Sequence, residues 1–278
     1  MAETEAAAPS VELPDIPQVL LELKDAKNDL NAVAQVITQH PDLAREVLAT
    51  INAPYFSLVR EIKSAEEAVR MLGMHRIVNL TTSRLLRSTI FAGKDKLLND
   101  LWKTSLKVAV ISVLVSKELD KAATDESYTT AIFHNSGMAI LNQTNKDYSK
   151  AIKTAYFDEG GLISEFERQQ FGTSHAALGA LLASKWGLSG TIGKCIHLHH
   201  DPEKLVSQIE KKDEAGELLL VLKIAEQIAR LPGYLAQCVN NHEWENIKEP
   251  IFDELKMTEG MYRRFEAGIK KKLSEIKS

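Results

Sequence analysis

Cysteine is nearly absent. Only Cys195 and Cys238 occur in 278 residues, too few for a dense disulfide framework. Cys195, inside GTIGKCIHL, reads as a small buried hydrophobe rather than a reactive thiol. Aromatic residues make up 6% of the chain. The most apolar run, VAVISVLV at Val108 to Val115, is far too short to span a bilayer. Neither charge dominates: 34 Lys and Arg stand against 38 Asp and Glu, net −4, with a pI near 6.1. That balance excludes a general nucleic-acid binder. The basic tail GIKKKLSEIKS reads as the solvated face of a final helix. Strand signals are lacking, since no alternating run is bounded by Asn-Gly or Asp-Gly. Phosphate-cradle, serine-elbow and H-E-x-x-H signatures are also missing. Gly160-Gly161 reads as a loop between helices. The start, MAETEAAAPS, has no basic n-region and reads as a disordered leader over residues 1–10. The expectation is a cytoplasmic protein with no membrane contact.

What is present is helical periodicity. Hydrophobic content of 44% and charge of 26% are ordinary for a globular protein of one large or two modest domains. Leu30, Val33 and Ile37 recur at three- and four-residue steps, as do Leu43, Val47, Leu48 and Ile51. Ser64 with Glu67 fits a capping box opening SAEEAVRML, and Gly73-Met74 breaks the pattern before a helix from about His75. FAGKDKLLND, Phe91 to Asp100, reads as a polar connection between subdomains 11–92 and 93–278. Beyond it, one helix is expected from about Leu101 to Leu119 and another through AIFHNSGMAIL. A third opens at Thr173 or Ser174 and ends at Trp186-Gly187, with Gly as C-cap. A fourth runs from about Gly190 to His200, and a fifth, GELLLVLKIAEQIARL, ends at Pro232.

Two segments, HNSG at His134 to Gly137 and HLHHDPE at His197 to Glu203, hold four of the eight histidines. Neutral imidazole is a good ligand for Zn, Fe, Mn and Ni. Yet Asn135, an uncharged amide, follows His134 where a carboxylate could neutralise and bridge cations. The pattern is that of a hydrolase site without its central acid.

HNSG stands where HD-type metal phosphohydrolases carry His-Asp, a small residue and Gly. The chain resembles the HD-related output domain (HDOD) proteins, a bacterial signalling branch of that superfamily, from about Leu13 to about Pro232. Four stretches carry the likeness: LPDIPQVLLEL; HPDLAREVLATINAPYF with SAEEAVRMLGMHRIVNL; LWKTSLKVAV leading into AIFHNSGMAIL; and FGTSHAALGALLASKWGLS leading into HLHHDP. The resemblance implies an all-α, HD-domain-like helical bundle with an additional N-terminal helical subdomain. It maps the superfamily's ligand positions onto Thr104, a poor ligand in place of the first His, then onto His134 and Asn135. Further positions fall on His175, His199 and His200, and the final acid on Glu226. With the first His and the central acid gone, hydrolysis through a metal-bound water is not expected. No cofactor is expected beyond a weakly held divalent metal (Fe, Mn, Zn or Ni). The function implied is a non-catalytic regulatory module that binds signalling proteins or a small signal. The alternative is a metal-dependent phosphohydrolase for a nucleotide or cyclic dinucleotide with a rearranged ligand set. The N-terminal helices are the implied partner surface, with Tyr55, Phe56 and Leu58 of NAPYFSL as candidate anchors, although for any one of them a plug closing the N-terminal core is the favoured reading.

Simpler roles exist for several of these residues. His134 fits a hydrogen-bonded core residue, and His199 or His200 a partner of a helix C-terminal dipole. Asp201 before Pro202 fits a turn former, His40 and His75 surface or capping residues, and Trp102 and Trp186 core.

Overall fold

The protein is described from a computed structural model over residues 11–26, 29–56, 58–93, 95–121, 124–157, 163–230 and 242–277. The leader, Gly160-Gly161, Pro232 and Cys238 lie outside the described residues. The fold is all-α, with no strand among the described residues. The N-terminal layer comprises α1 (Gln18–Asp25), α2 (Leu30–Thr38), α3 (Pro41–Ile51), a 3-10 turn at Pro54–Phe56, α4 (Ala65–Leu72) and α5 (Met74–Thr89). Asp29 caps α2 by accepting from Asn31 N at 2.8 Å and Ala32 N at 3.2 Å. Ser64 accepts from Glu67 N at 3.2 Å. The return bond of the capping box is displaced by one residue: Glu67 Oε2 accepts from Lys63 N at 2.8 Å. Gly73 joins α4 to α5 at φ +83°, a conformation that suits glycine. His40 is not merely a surface or capping residue, because its Nε2 meets Glu22 Oε2 at 3.1 Å. His75 is exposed.

The larger part runs α6 (Lys96–Glu118), α7 (Thr124–Phe133), α8 (Ser136–Thr144), α9 (Tyr148–Phe157), α10 (Ile163–Phe171), α11 (His175–Trp186), α12 (Gly190–Leu198), α13 (Pro202–Ile209), α14 (Glu214–Ala229), α15 (His242–Leu255) and α16 (Glu259–Lys277). α6 begins five residues earlier than its apolar pattern indicates, because Asp95 caps it through Leu98 N at 3.0 Å. The connection before it is polar only in part: Ile90 and Phe91 are fully buried, and Phe91 packs on Trp102 with ring centroids 5.6 Å apart. AIFHNSGMAIL is not one helix. The chain breaks at His134 and Asn135, between α7 and α8.

α14 is buried on all sides from Leu218 to Ala225, the mark of a helix inside the core. It packs on α6, α7 and α12, while α5 packs on α7 and ties the N-terminal layer to this core. Each fully buried Leu or Ile contributes roughly 1.5–3 kcal/mol. Trp102, Trp186 and Cys195 are buried, and burial pushes the Cys195 thiol up to about 12. Gly187 ends α11 in the left-handed conformation at φ +83°. No helix among the described residues is long and apolar enough to cross a membrane.

Candidate functional site

Three helix ends meet at the site. His134 directly follows α7, His175 opens α11, and His199 and His200 follow α12. Close helix contact brings them together. A Cβ on Gly137 would stand 2.0 Å from the His175 backbone oxygen, and one on Gly179 would stand 3.0 Å from Ile196 Cγ2. Glycine at these positions lets α8 and α12 approach α11. Ser174 caps α11 through Ala177 N at 3.2 Å, which fixes His175 as its first residue. All four imidazoles are buried, at 1%, 0%, 0% and 7% exposure in chain order. Ring centroids lie 4.1 Å apart for His199 and His200, 4.9 Å for His175 and His200, and 5.5 Å for His134 and His199.

The partners set the tautomers. His134 Nδ1 lies 2.6 Å from the Ala131 carbonyl, and His199 Nδ1 lies 2.6 Å from that of Ile196. A carbonyl only accepts, so these ring nitrogens donate. His175 Nδ1 donates to Glu167 Oε2 at 2.6 Å, and His200 Nδ1 to Glu243 Oε2 at 2.8 Å. Neutral rings held this way keep Nε2 as a lone pair. His175 Nε2 and His199 Nε2 face each other at 3.4 Å, and His134 Nε2 faces Glu226 Oε1 at 3.3 Å. Two acceptors at such distances repel unless a proton or metal ion lies between them.

Charged groups surround the rings. Lys223, on α14 and 5% exposed, sits 2.6 Å from Glu226 Oε2 and 2.6 Å from Glu243 Oε1. Burial works against its charge, but the two carboxylates win and raise its pKa above the usual lysine range. Burial likewise pushes Glu226 up, and Lys223 with His134 overcomes it, leaving the carboxyl well below its ordinary range. Glu243 is also lowered: burial raises it, while His200 and Lys223 outweigh that. Glu167 is fully buried. Burial pushes it up, but His175, Tyr148 (hydroxyl donating at 2.6 Å) and the His175 N–H (2.8 Å) bring it below the usual range. Burial lowers His199 strongly, and neighbouring imidazoles add to that. His200 is lowered by burial in spite of Glu243. The array therefore holds three carboxylates against one ammonium, two negative charges in excess when the rings are neutral.

Of the positions expected from sequence, His134, His175, His199, His200 and Glu226 converge. Asn135 sits directly behind His134, its Oδ1 buried with no hydrogen-bond partner among the described residues. The Thr104 hydroxyl is spent on its own helix, donating to the Asp100 carbonyl at 2.8 Å. Asp201 caps α13 through Lys204 N at 3.2 Å. The candidate partner loop is largely a plug: Phe56 is 6% exposed, and its ring and that of half-buried Tyr55 pack on Tyr128 at 5.7 and 6.3 Å. Lys117 Nζ donates to the carbonyls of both, at 2.9 and 2.7 Å. Leu58 lines a surface cavity of about 330 Å³ with Asn52, Pro54 and Arg60. Glu167, Lys223, Glu243 and Tyr148 were not anticipated. Only Lys223 left a signal, as a lone lysine in the apolar run LLLVLKIA three residues before Glu226.

The family model described as the HDOD domain matches residues 13–202, more than half of the chain. The chain belongs to the HDOD family. Among solved structures, the HDOD chain is similar to a Shewanella amazonensis SB2B protein provisionally named a phosphohydrolase. That likeness has 23% identity, covers 95% of each chain and has a TM-score of 0.64. It is also similar to a Marinobacter aquaeolei VT8 protein provisionally named for signal transduction, at 15% identity, covering 96% of this chain and 58% of that one, with a TM-score of 0.58. At these identities the likeness concerns the fold. An uncharacterised Treponema pallidum protein is 23% identical over 199 residues, 68% of this chain and 38% of its own length. The chain thus spans about two-fifths of that curated relative.

The resemblance to HD-type phosphohydrolases implies a metal, and the donor set can be tested against one. His175, His199 and His200 each offer a ring nitrogen, all within 4.8 Å of one another. Two of these rings lean on carboxylates through Nδ1, the usual arrangement behind a metal-bound histidine. The set fits one borderline divalent ion such as Zn, Ni or Fe.

Proposed function

We propose that this HDOD chain is a non-catalytic regulatory module of signal transduction, working through binding of signalling proteins or a small signal. One observation carries the reading. Lys223 lies between Glu226 and Glu243, 2.6 Å from each, so the two carboxylates that could serve hydrolytic cations already hold an ammonium. Asn135 adds no charge to replace them, and the imidazoles are closed off from solvent. Metal-assisted phosphoester hydrolysis needs an accessible ion that both activates water and meets phosphate oxygens. A module without turnover acts through differential binding of its conformations. The alternative, hydrolysis of a nucleotide or cyclic dinucleotide, is tested directly. Purified full-length protein with Mn(II) or Fe(II) is expected to release product no faster than buffer plus metal. Turnover that disappears in His134→Ala would overturn the reading.

A second reading concerns the metal and is favoured by the facing Nε2 atoms of His175 and His199. His175, His199 and His200 would hold one divalent ion, which supplies a buried double positive charge matching the excess of carboxylates. Glu167 and Glu243 would orient two of the rings, and Ile196 the third. Elemental analysis after exhaustive dialysis is expected to find close to one ion per chain, and none in His175→Ala, His199→Ala.

A further inference from the structure

α15 lies beyond the residues that the family model matches, yet it reaches into the cluster with one side chain. Glu243, the second residue of α15, bonds His200 Nδ1 at 2.8 Å and Lys223 Nζ at 2.6 Å. The rest of α15 is held differently. Trp244, Ile247, Ile251 and Phe252 are buried, Trp244 packs on Tyr262 of α16 with centroids 5.3 Å apart, and Glu254 Oε2 meets Lys212 at 3.0 Å. So a helix anchored on apolar packing carries a single charged residue into the histidine cleft.

We infer that Glu243 makes α15 a latch coupled to divalent-metal occupancy, the docked helix and the ion each strengthening the hold of the other. The inference rests on the mononuclear metal reading. Docking α15 adds one negative charge to the cleft and fixes His200 with Nε2 unprotonated, both of which favour a cation. The cation in turn offsets the repulsion between Glu243 and Glu226, which share only Lys223. Linkage makes the two effects equal in free energy. The state of a buried site would then be written on the surface of the C-terminal helix pair, where a partner could read it.

The test titrates Zn(II) or Ni(II) alone into the full-length protein while following amide hydrogen exchange in residues 242–255. Metal is expected to slow exchange across α15 about tenfold or more. Glu243→Gln keeps the volume and removes the charge. It is expected to bind metal ~10–100-fold more weakly, the range for losing a partner behind a ligating histidine, and its α15 exchange should no longer respond. Glu254→Gln removes a part-exposed ion pair with Lys212 away from the cluster, a contact worth too little to undock α15, and should leave metal affinity within about twofold. If metal binds with α15 exchange unchanged, or Glu254→Gln weakens binding as much as Glu243→Gln, the latch is wrong while the metal site stands. If no metal binds, the metal reading fails and takes the latch with it.

Discussion

Two buried ion arrays in this chain respond to burial in opposite ways. Arg76 of α5 meets Asp125 of α7 at 2.6 Å, with side chains 28% and 16% exposed. Lys223 meets Glu226 and Glu243 at the same distance, 5% exposed against 18% and 21%. In the first, burial outweighs Arg76, and the Asp125 carboxyl is pushed up to about 6; its Oδ1 has no hydrogen-bond partner among the described residues. In the second, the carboxyls fall below their ordinary range. The difference lies in partner number. Asp125 has one close cation, whereas Glu226 and Glu243 share an ammonium and each has an imidazole of its own. A buried carboxylate stays ionised where the nearby positive charge outweighs the cost of its burial.

The largest expected effect comes from removing the shared cation. Lys223→Met strands two carboxylates and should cost about 3–5 kcal/mol, read by urea denaturation. An unchanged midpoint would make the array ornamental. Acid should act on the same groups. Glu167, Glu226 and Glu243 have folded pKa values below their unfolded ones, so their contribution is present above the unfolded carboxylate range, near ~4.3, and is lost as pH falls through the folded values. His199 and His200 are also lowered, so the unfolded chain takes up their protons first, from about pH 6.5 downward. These groups share one sign, whereas Asp125, raised to about 6, acts the other way as pH falls through that value. The test is therefore made in an Asp125→Asn background, where stability should decline on acidification from neutrality, beginning in the histidine range. In that background a midpoint that is flat or rising between about pH 7 and about pH 5 would contradict the neutral, buried rings.

Packing beneath the site gives a smaller effect. Gly137→Ala places a methyl group 2.0 Å from the His175 carbonyl, so α8 and α11 must separate, at ~1–3 kcal/mol. Histidine resonances should shift with it. The smallest effect is expected at the junction. Asp125→Asn removes a carboxyl already weakened by burial and leaves Arg76 partly solvated, so stability should change by less than ~1 kcal/mol. A loss matching Lys223→Met would erase the contrast between the arrays.

Much of this was legible in the chain. Periodicity located α2 and α3, and Thr173 or Ser174 with Gly187 marked the ends of α11, because caps and apolar stripes are local properties, while α14 was legible as an apolar run ending at Pro232. The resemblance brought His134, His175, His199, His200 and Glu226 together. The helix break at His134 escaped periodicity, since α7 and α8 are apolar on both sides of it. Glu167 and Glu243 escaped because a buried carboxylate is spelled like an exposed one, and only tertiary contact with His175 and His200 separates them. Thr104 illustrates the converse: its place in sequence suggested the site, but a hydroxyl on a helix readily turns to the carbonyl four residues back.

The charge state of Lys223 is the most direct test of the idea that the cleft is built around an internal ammonium. Heteronuclear NMR of the full-length protein, with lysine side chains labelled, can follow its Nζ signal. The expected result is a slowly exchanging ammonium that stays protonated from about pH 6 to about pH 9, below the ordinary lysine value of ~10.4, and that is lost in Lys223→Met. A Lys223 signal that titrates within that range, or exchanges as fast as surface lysines, would contradict it.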